Sequence, residues 1–194
     1  AIPFAELDYF SKALFFAHGR HRHTVTEDHL RKTRHAYFAM ISYLDEKIGR
    51  LLDQLEETGL RENTVVMFTS DHGEMLGERG MWFKQCFWEW SARVPLIVSL
   101  PDGQRSARIE ANTSLVDLAP TLIDLGGGAA KLPDELIADL AGNSITPLLD
   151  GDDRSWPDVA ISDYLAIGPC VPCRMVRKGR YKYFFTYGQP DLLF

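Results

Sequence analysis

The stretch 64-TVVMFTSDHGEMLGERGMWFK-84 decides how the rest of the chain is read. Its first six residues are β-branched or apolar, at both odd and even positions. That pattern predicts a strand covered on both faces, as in a parallel sheet. Asp71 follows at the strand's carboxyl end, where open α/β sheets bind their ligands. An Asp there supplies a hard oxygen ligand for a divalent cation. His72 adds an imidazole that can ligate a metal or move a proton. Gly73 lets the backbone turn sharply beside them, and Lys84 brings a compact positive charge suited to an anionic substrate. The plain alternative is a turn in which Asp71 caps the next segment.

Outward from this stretch the elements alternate. On the N-terminal side, Thr26 can cap a helix, Glu27 and Asp28 suit its positive end, and Gly59 ends it. Between them Leu30, Tyr37, Ile41, Leu44, Ile48, Leu51, Leu52 and Leu55 recur at helical spacing and form one apolar stripe. On the C-terminal side, 94-VPLIVSL-100 is a second apolar strand. In 117-DLAPTLIDLGG-127, Asp117 reads as cap, Pro120 sits in the first turn, and Gly126 is the stop. Helix, strand, strand, helix is an α/β order. Residues 126–157 read as loop, 158-DVAISDY-164 as a strand, and Lys178-Gly179 as a two-residue hairpin turn between 174-RMVR-177 and 180-RYKYFFTY-187.

The 194 residues carry a formal net charge of −6, which argues against a general nucleic-acid binder. The longest apolar runs fall well short of the roughly 18–20 residues that span a bilayer. Three cysteines, Cys86, Cys170 and Cys173, do not describe a disulfide-stapled domain and favour a reducing compartment. The expected location is the cytoplasm, with the periplasm as the alternative.

The ordered run of motifs, from 24-TVTEDHLRKTRHAYFAMISYLDEKIGRLL-52 through the opening stretch, 93-RVPLIVSLP-101 and SLVDLAPTLIDLGG to 180-RYKY-183, resembles the sulfatases of the alkaline phosphatase superfamily. It looks closest to bacterial choline sulfatases. The resemblance implies part of a central, largely parallel sheet with flanking helices, followed by a small antiparallel element. It divides the chain into residues 1–155, the C-terminal part of the catalytic domain, and residues 156–194, an incomplete antiparallel subdomain.

It further implies that Asp71 and His72 are two ligands of a divalent metal, with Ca²⁺ ahead of Mn²⁺ and Mg²⁺. Lys84 would contact the sulfate, and His72 and Lys84 would take part in catalysis. Trp82 would help bind the ester. The nucleophile would be a formylglycine made from a cysteine. Nothing in residues 1–63 resembles C-x-P-S-R or the paired aspartates that complete such a metal site. Both ends are therefore expected to be cuts, and the piece alone is expected to be inactive. The implied partner is a small sulfate ester, with neither nucleic acid nor membrane, and the parent enzyme is expected to be a homo-oligomer. Phosphonate or phosphate monoester hydrolysis, or a non-catalytic binding module, are the alternatives.

Some motifs resist this assignment. 170-CVPCR-174 fits C-x-P-x-R but lies downstream of Asp71 and runs into a hairpin pattern, so packing is the preferred reading. His18, His21, His23 and His29 lack a regular zinc spacing and are interrupted by Arg20 and Arg22, which favours a basic surface loop. Trp82, Phe83, Phe87, Trp88 and Trp90 would suit a quaternary ammonium, against loop packing as the preferred reading. The segment 164-YLAIG-168 lacks the acidic residue expected of choline sulfatases.

Overall fold

The computed structural model describes residues 2–101, 106–128, 132–133, 135–136, 139–165 and 168–194. They fall into two compact units, Ala1–Gln104 with Leu165–Cys170, and Arg105–Tyr164 with Val171–Phe194.

The first unit opens with a helix that the sequence patterns did not flag, α1 (Tyr9–Ala17). Asp8 caps it by accepting the Ser11 amide at 2.9 Å. Its buried Phe10 stacks on Phe87, ring centroids 5.4 Å apart, and its Ser11 hydroxyl accepts the Trp88 indole N–H at 3.2 Å. Leu14 is wholly buried on the same side. α1 is thus the floor under residues 72–92.

The long helix α2 (Glu27–Glu57) begins where expected. Thr26 accepts the His29 amide, and the His29 ring returns to the Thr26 amide, a reciprocal cap. Its apolar stripe exists but is not buried: Ile41, Leu44, Leu51 and Leu52 are all exposed, and no residue of the helix is fully covered. Helices of this kind draw most of their stability from packing that face.

β1 (Val66–Thr69) and β2 (Leu96–Ser99) pair antiparallel, with Val66 opposite Ser99 and Thr69 opposite Leu96. Apolar residues on both parities report covering, not strand direction, so the parallel reading does not hold for this pair. All four β1 residues are half-buried, and Ile97 of β2 is exposed. A short helix, α3 (Glu89–Ala92), precedes β2.

In the second unit, α4 (Leu118–Leu125) ends at Gly126 as read, but Asp117 does not cap it by side chain. Ser114 opens a 3₁₀ turn instead. The buried Asp117 carboxylate reaches back to the Ser114 amide at 2.7 Å and across to the Asn143 amide at 2.8 Å. The stretch read as loop includes a short helix, α5 (Thr146–Asp150). The sheet is an antiparallel meander of β3 (Val159–Tyr164), β4 (Cys173–Lys178), β5 (Tyr181–Thr186) and β6 (Leu192–Leu193). Lys178 pairs with Tyr181, so the hairpin turn is Gly179-Arg180, one residue later than read; Gly179 takes the left-handed φ of +52°. Asn112 ties the unit together. Its side-chain amide donates to Asp158 and the Gly179 carbonyl, each at 2.9 Å, while its carbonyls accept Arg177 and the Trp156 indole.

Candidate functional site

Asp71 and His72 emerge from β1 into a loop that returns to Lys84. The His72 Nδ1 lies 2.9 Å from the Gly73 carbonyl, which assigns the proton to Nδ1 and leaves Nε2 as an acceptor. Lys84 Nζ sits 2.5 Å from that Nε2, and Asp71 Oδ2 is 3.4 Å from it. One carboxylate, one imidazole and one ammonium therefore converge, although 12 residues separate the His from the Lys.

Asp71 is mostly exposed, and slight desolvation pushes its carboxyl up. The His72 amide N–H, the adjacent His72 ring and the Ser70 hydroxyl outweigh this, and the pKa lies below the ordinary value. Asp71 is thus an anion throughout the neutral range, as a metal ligand must be.

Gly73 is needed for a different reason from the one its sequence position suggested. Its φ is not in the left-handed region. A Cβ there would stand 2.0 Å from the Trp90 carbonyl oxygen, because the Gly73 amide donates to Ser91 O at 2.8 Å. The site's backbone lies directly on the backbone of α3.

The return loop is strained. Leu76, Arg79, Phe83 and Gln85 all have positive φ, two of them bracketing Lys84. Each such residue costs about 1–3 kcal/mol and persists only where neighbours over-determine it. The neighbours are identifiable. Glu74 Oε1 accepts the amides of Leu76 at 3.1 Å and Phe83 at 2.6 Å; Met75 donates to Phe83 O; His18 Nε2 meets Gln85 Oε1 at 2.5 Å. From α2, Arg34 donates to Leu76 O at 3.0 Å and pairs with Glu78 at 2.7 Å. Glu74, Arg34 and Gln85 position the site but were not evident in the sequence. They act through contacts made only once the loop is folded, which leave no spacing signature.

The donor set of Asp71 and His72, one oxygen and one nitrogen, fits half of a divalent-cation site. No group of three His, Cys, Asp or Glu side chains among the described residues is arranged to hold a metal, the His18–His29 set included.

The aromatic crowd divides. Phe87 is buried against Phe10, and the Arg79 guanidinium lies 3.8 Å over the Trp88 ring, so both are packing residues. Trp90 is exposed, while Trp82 and Phe83 line a cavity. Residues 166–167 of the segment 164–168 lie outside the described residues.

Cys173 is buried in β4, and burial pushes its thiol up, the opposite of an activated nucleophile. Cys170 is exposed, and neither cysteine opens a helix. Cys170→Ser therefore leaves turnover in the native-length protein unchanged. Loss of activity without unfolding, by circular dichroism, would contradict that.

Two family models match the chain: Sulfatase over residues 10–128, and the C-terminal region of N-sulphoglucosamine sulphohydrolase over residues 77–193. The chain belongs to the sulfatase family. It is 40% identical over its whole length to choline-sulfatase of Rhizobium meliloti (strain 1021), of which it spans 37%. It is 33% identical over 84% of its length to arylsulfatase K of Gallus gallus, of which it spans 30%. Among solved structures, a phosphonate monoester hydrolase from Silicibacter pomeroyi superposes with a TM-score of 0.77 at 28% identity, covering 89% of this chain and 36% of that one. A 2-O GAG sulfatase gives 0.76 at 28%, covering 96% and 40%. The fold is that of the alkaline-phosphatase-like sulfatases, and the strands described in this chain pair antiparallel. Enzymes of the family work with a divalent metal and a formylglycine.

Proposed function

We propose that the protein, at its native length, hydrolyses a sulfate monoester at the site begun by Asp71, His72 and Lys84. The observation that carries this reading is the convergence of Asp71 Oδ2 and Lys84 Nζ on His72 Nε2, 3.4 and 2.5 Å away. Asp71 and His72 would hold the divalent metal, Ca²⁺ first and Mn²⁺ or Mg²⁺ as alternatives. Bound there, the cation supplies Lewis-acid stabilisation of the sulfate oxygens and of an ionised nucleophile. The Gly73 carbonyl fixes the imidazole so that Nε2 faces the reacting group. The Lys84 ammonium, held by a strained loop, opposes the negative charge that develops as the ester bond breaks. Trp82, which lines the cavity next to this segment, would help bind the ester. Choline-O-sulfate is the first ester to assay, on the strength of the rhizobial relative's name.

The second reading is phosphonate monoester hydrolysis, supported by the TM-score of 0.77 to the Silicibacter enzyme. The two separate in one assay. The native-length protein is given choline-O-sulfate, 4-nitrophenyl sulfate and a phenyl phosphonate monoester, each with and without chelator. Sulfate release that a chelator abolishes supports the first reading. Faster cleavage of the phosphonate favours the second. Lys84→Ala lowers kcat about 10²–10³-fold while metal content by mass spectrometry stays at the wild-type level. A variant that loses metal as well would make Lys84 part of the metal site instead.

A further inference from the structure

Within the first unit, α1, the start of α2 and the loop before Lys84 enclose a cavity of about 400 Å³, the size range of small-molecule sites. Phe15, Trp82 and Phe83 give it aromatic walls, and Arg20, His23 and His29 give it polar ones. No carboxylate lines it.

Arg20 is the informative residue. It donates to the His23 carbonyl, and its guanidinium lies 5.8 Å over the Phe15 ring. Its Nε is shut off from solvent and has no hydrogen-bond partner. Among the described residues no carboxylate pairs with it. Arg20 thus brings to the cavity wall a positive charge that no lining carboxylate compensates, which favours an anionic ligand. His29 adds a donor: its Nδ1 accepts the Thr26 amide, so in the neutral ring the proton is on Nε2. The cavity shares Trp82 and Phe83 with the segment that carries Lys84.

We propose that this cavity receives the alcohol half of the substrate and selects a flat organic group bearing its own negative charge, such as a carboxylated phenol, over a quaternary ammonium. The aromatic walls supply stacking area. Arg20 supplies directional donors for a carboxylate, and the same charge repels choline. The link to catalysis rests on the sulfate-ester reading above; the binding preference does not.

The test is calorimetric titration of the native-length protein with 4-hydroxybenzoate, the phenol that would be left after hydrolysis of 4-carboxyphenyl sulfate, and in parallel with choline. The expected result is saturable binding of 4-hydroxybenzoate and none of choline. Arg20→Gln removes a charge-assisted contact and weakens binding at least about tenfold. Thr33→Glu, at an exposed α2 position on the cavity wall, places a carboxylate there without disturbing the fold and weakens it comparably. If Arg20→Gln does not fold, Thr33→Glu decides. Absent binding, binding that Thr33→Glu leaves unchanged, or a preference for choline overturns the proposal. Turnover of 4-carboxyphenyl sulfate is measured alongside. Binding with the expected variant effects but no sulfate release sinks the sulfate-ester reading and leaves the cavity's preference standing.

Discussion

Asp71→Ala lowers turnover of the native-length protein's sulfate ester about a thousandfold or more, equivalent to roughly 4 kcal/mol of transition-state stabilisation, and metal content falls with it. Asp71 brings a carboxylate to within 3.4 Å of His72 Nε2. Its side chain is largely exposed and supports no core packing, so folding is unaffected. Its hydrogen bonds are to its own chain neighbours: it accepts from the His72 amide at 2.9 Å and from the Ser70 hydroxyl at 3.4 Å. Asp71→Asn separates geometry from charge. It keeps the acceptor for the His72 amide but loses the anion, and it too gives low metal content. Unchanged kcat and metal content in both variants would remove Asp71 from the site.

The largest stability effect is expected at Gly73. In Gly73→Ala the new methyl meets the Trp90 carbonyl oxygen at 2.0 Å and its carbon at 2.9 Å. Both are backbone atoms of an element pinned by the Gly73–Ser91 hydrogen bond, so no flexible side chain can swing away. Overpacking of this severity costs about 2–4 kcal/mol. That lowers Tm by about 5–15 °C for a chain of this size. Gly49→Ala is the control. Gly49 lies inside α2 with nothing within 4 Å of its Cβ position, and alanine there stabilises the helix by up to about 1 kcal/mol. Scanning calorimetry that ranked the two variants equally would contradict the close approach at Gly73.

Much of the scaffold was legible because local chemistry writes it. Thr26 followed by acids announces the start of α2, Gly126 the end of α4, and unbroken β-branched apolar runs the strands β1 and β2. The candidate pair Asp71-His72 stood out by its place after β1 and Lys84 by its charge, and the family resemblance gave the three their implied roles. The remainder depended on contacts with no local signature. α1 is capped by Asp8 and packed through Phe10 and Leu14, but its aromatic composition resembles a loop's. Strand direction in β1 and β2 is set by where the chain returns, not by residue type. Asp117 was taken for a cap because Asp before a helix usually is one; Ser114 and Asn143 compete for its carboxylate and win. Glu74 and Gln85 hold the loop around Lys84 by single backbone or side-chain contacts, invisible until the loop is folded.

The most direct measurement is a crystal structure of the native-length protein grown with Mn²⁺, with an anomalous map at the manganese edge. A peak within about 2.5 Å of both an Asp71 carboxylate oxygen and His72 Nε2, with Lys84 displaced from that nitrogen, is the predicted result. A fully occupied peak elsewhere, with Lys84 still 2.5 Å from His72 Nε2, would contradict the assignment of these residues as metal ligands.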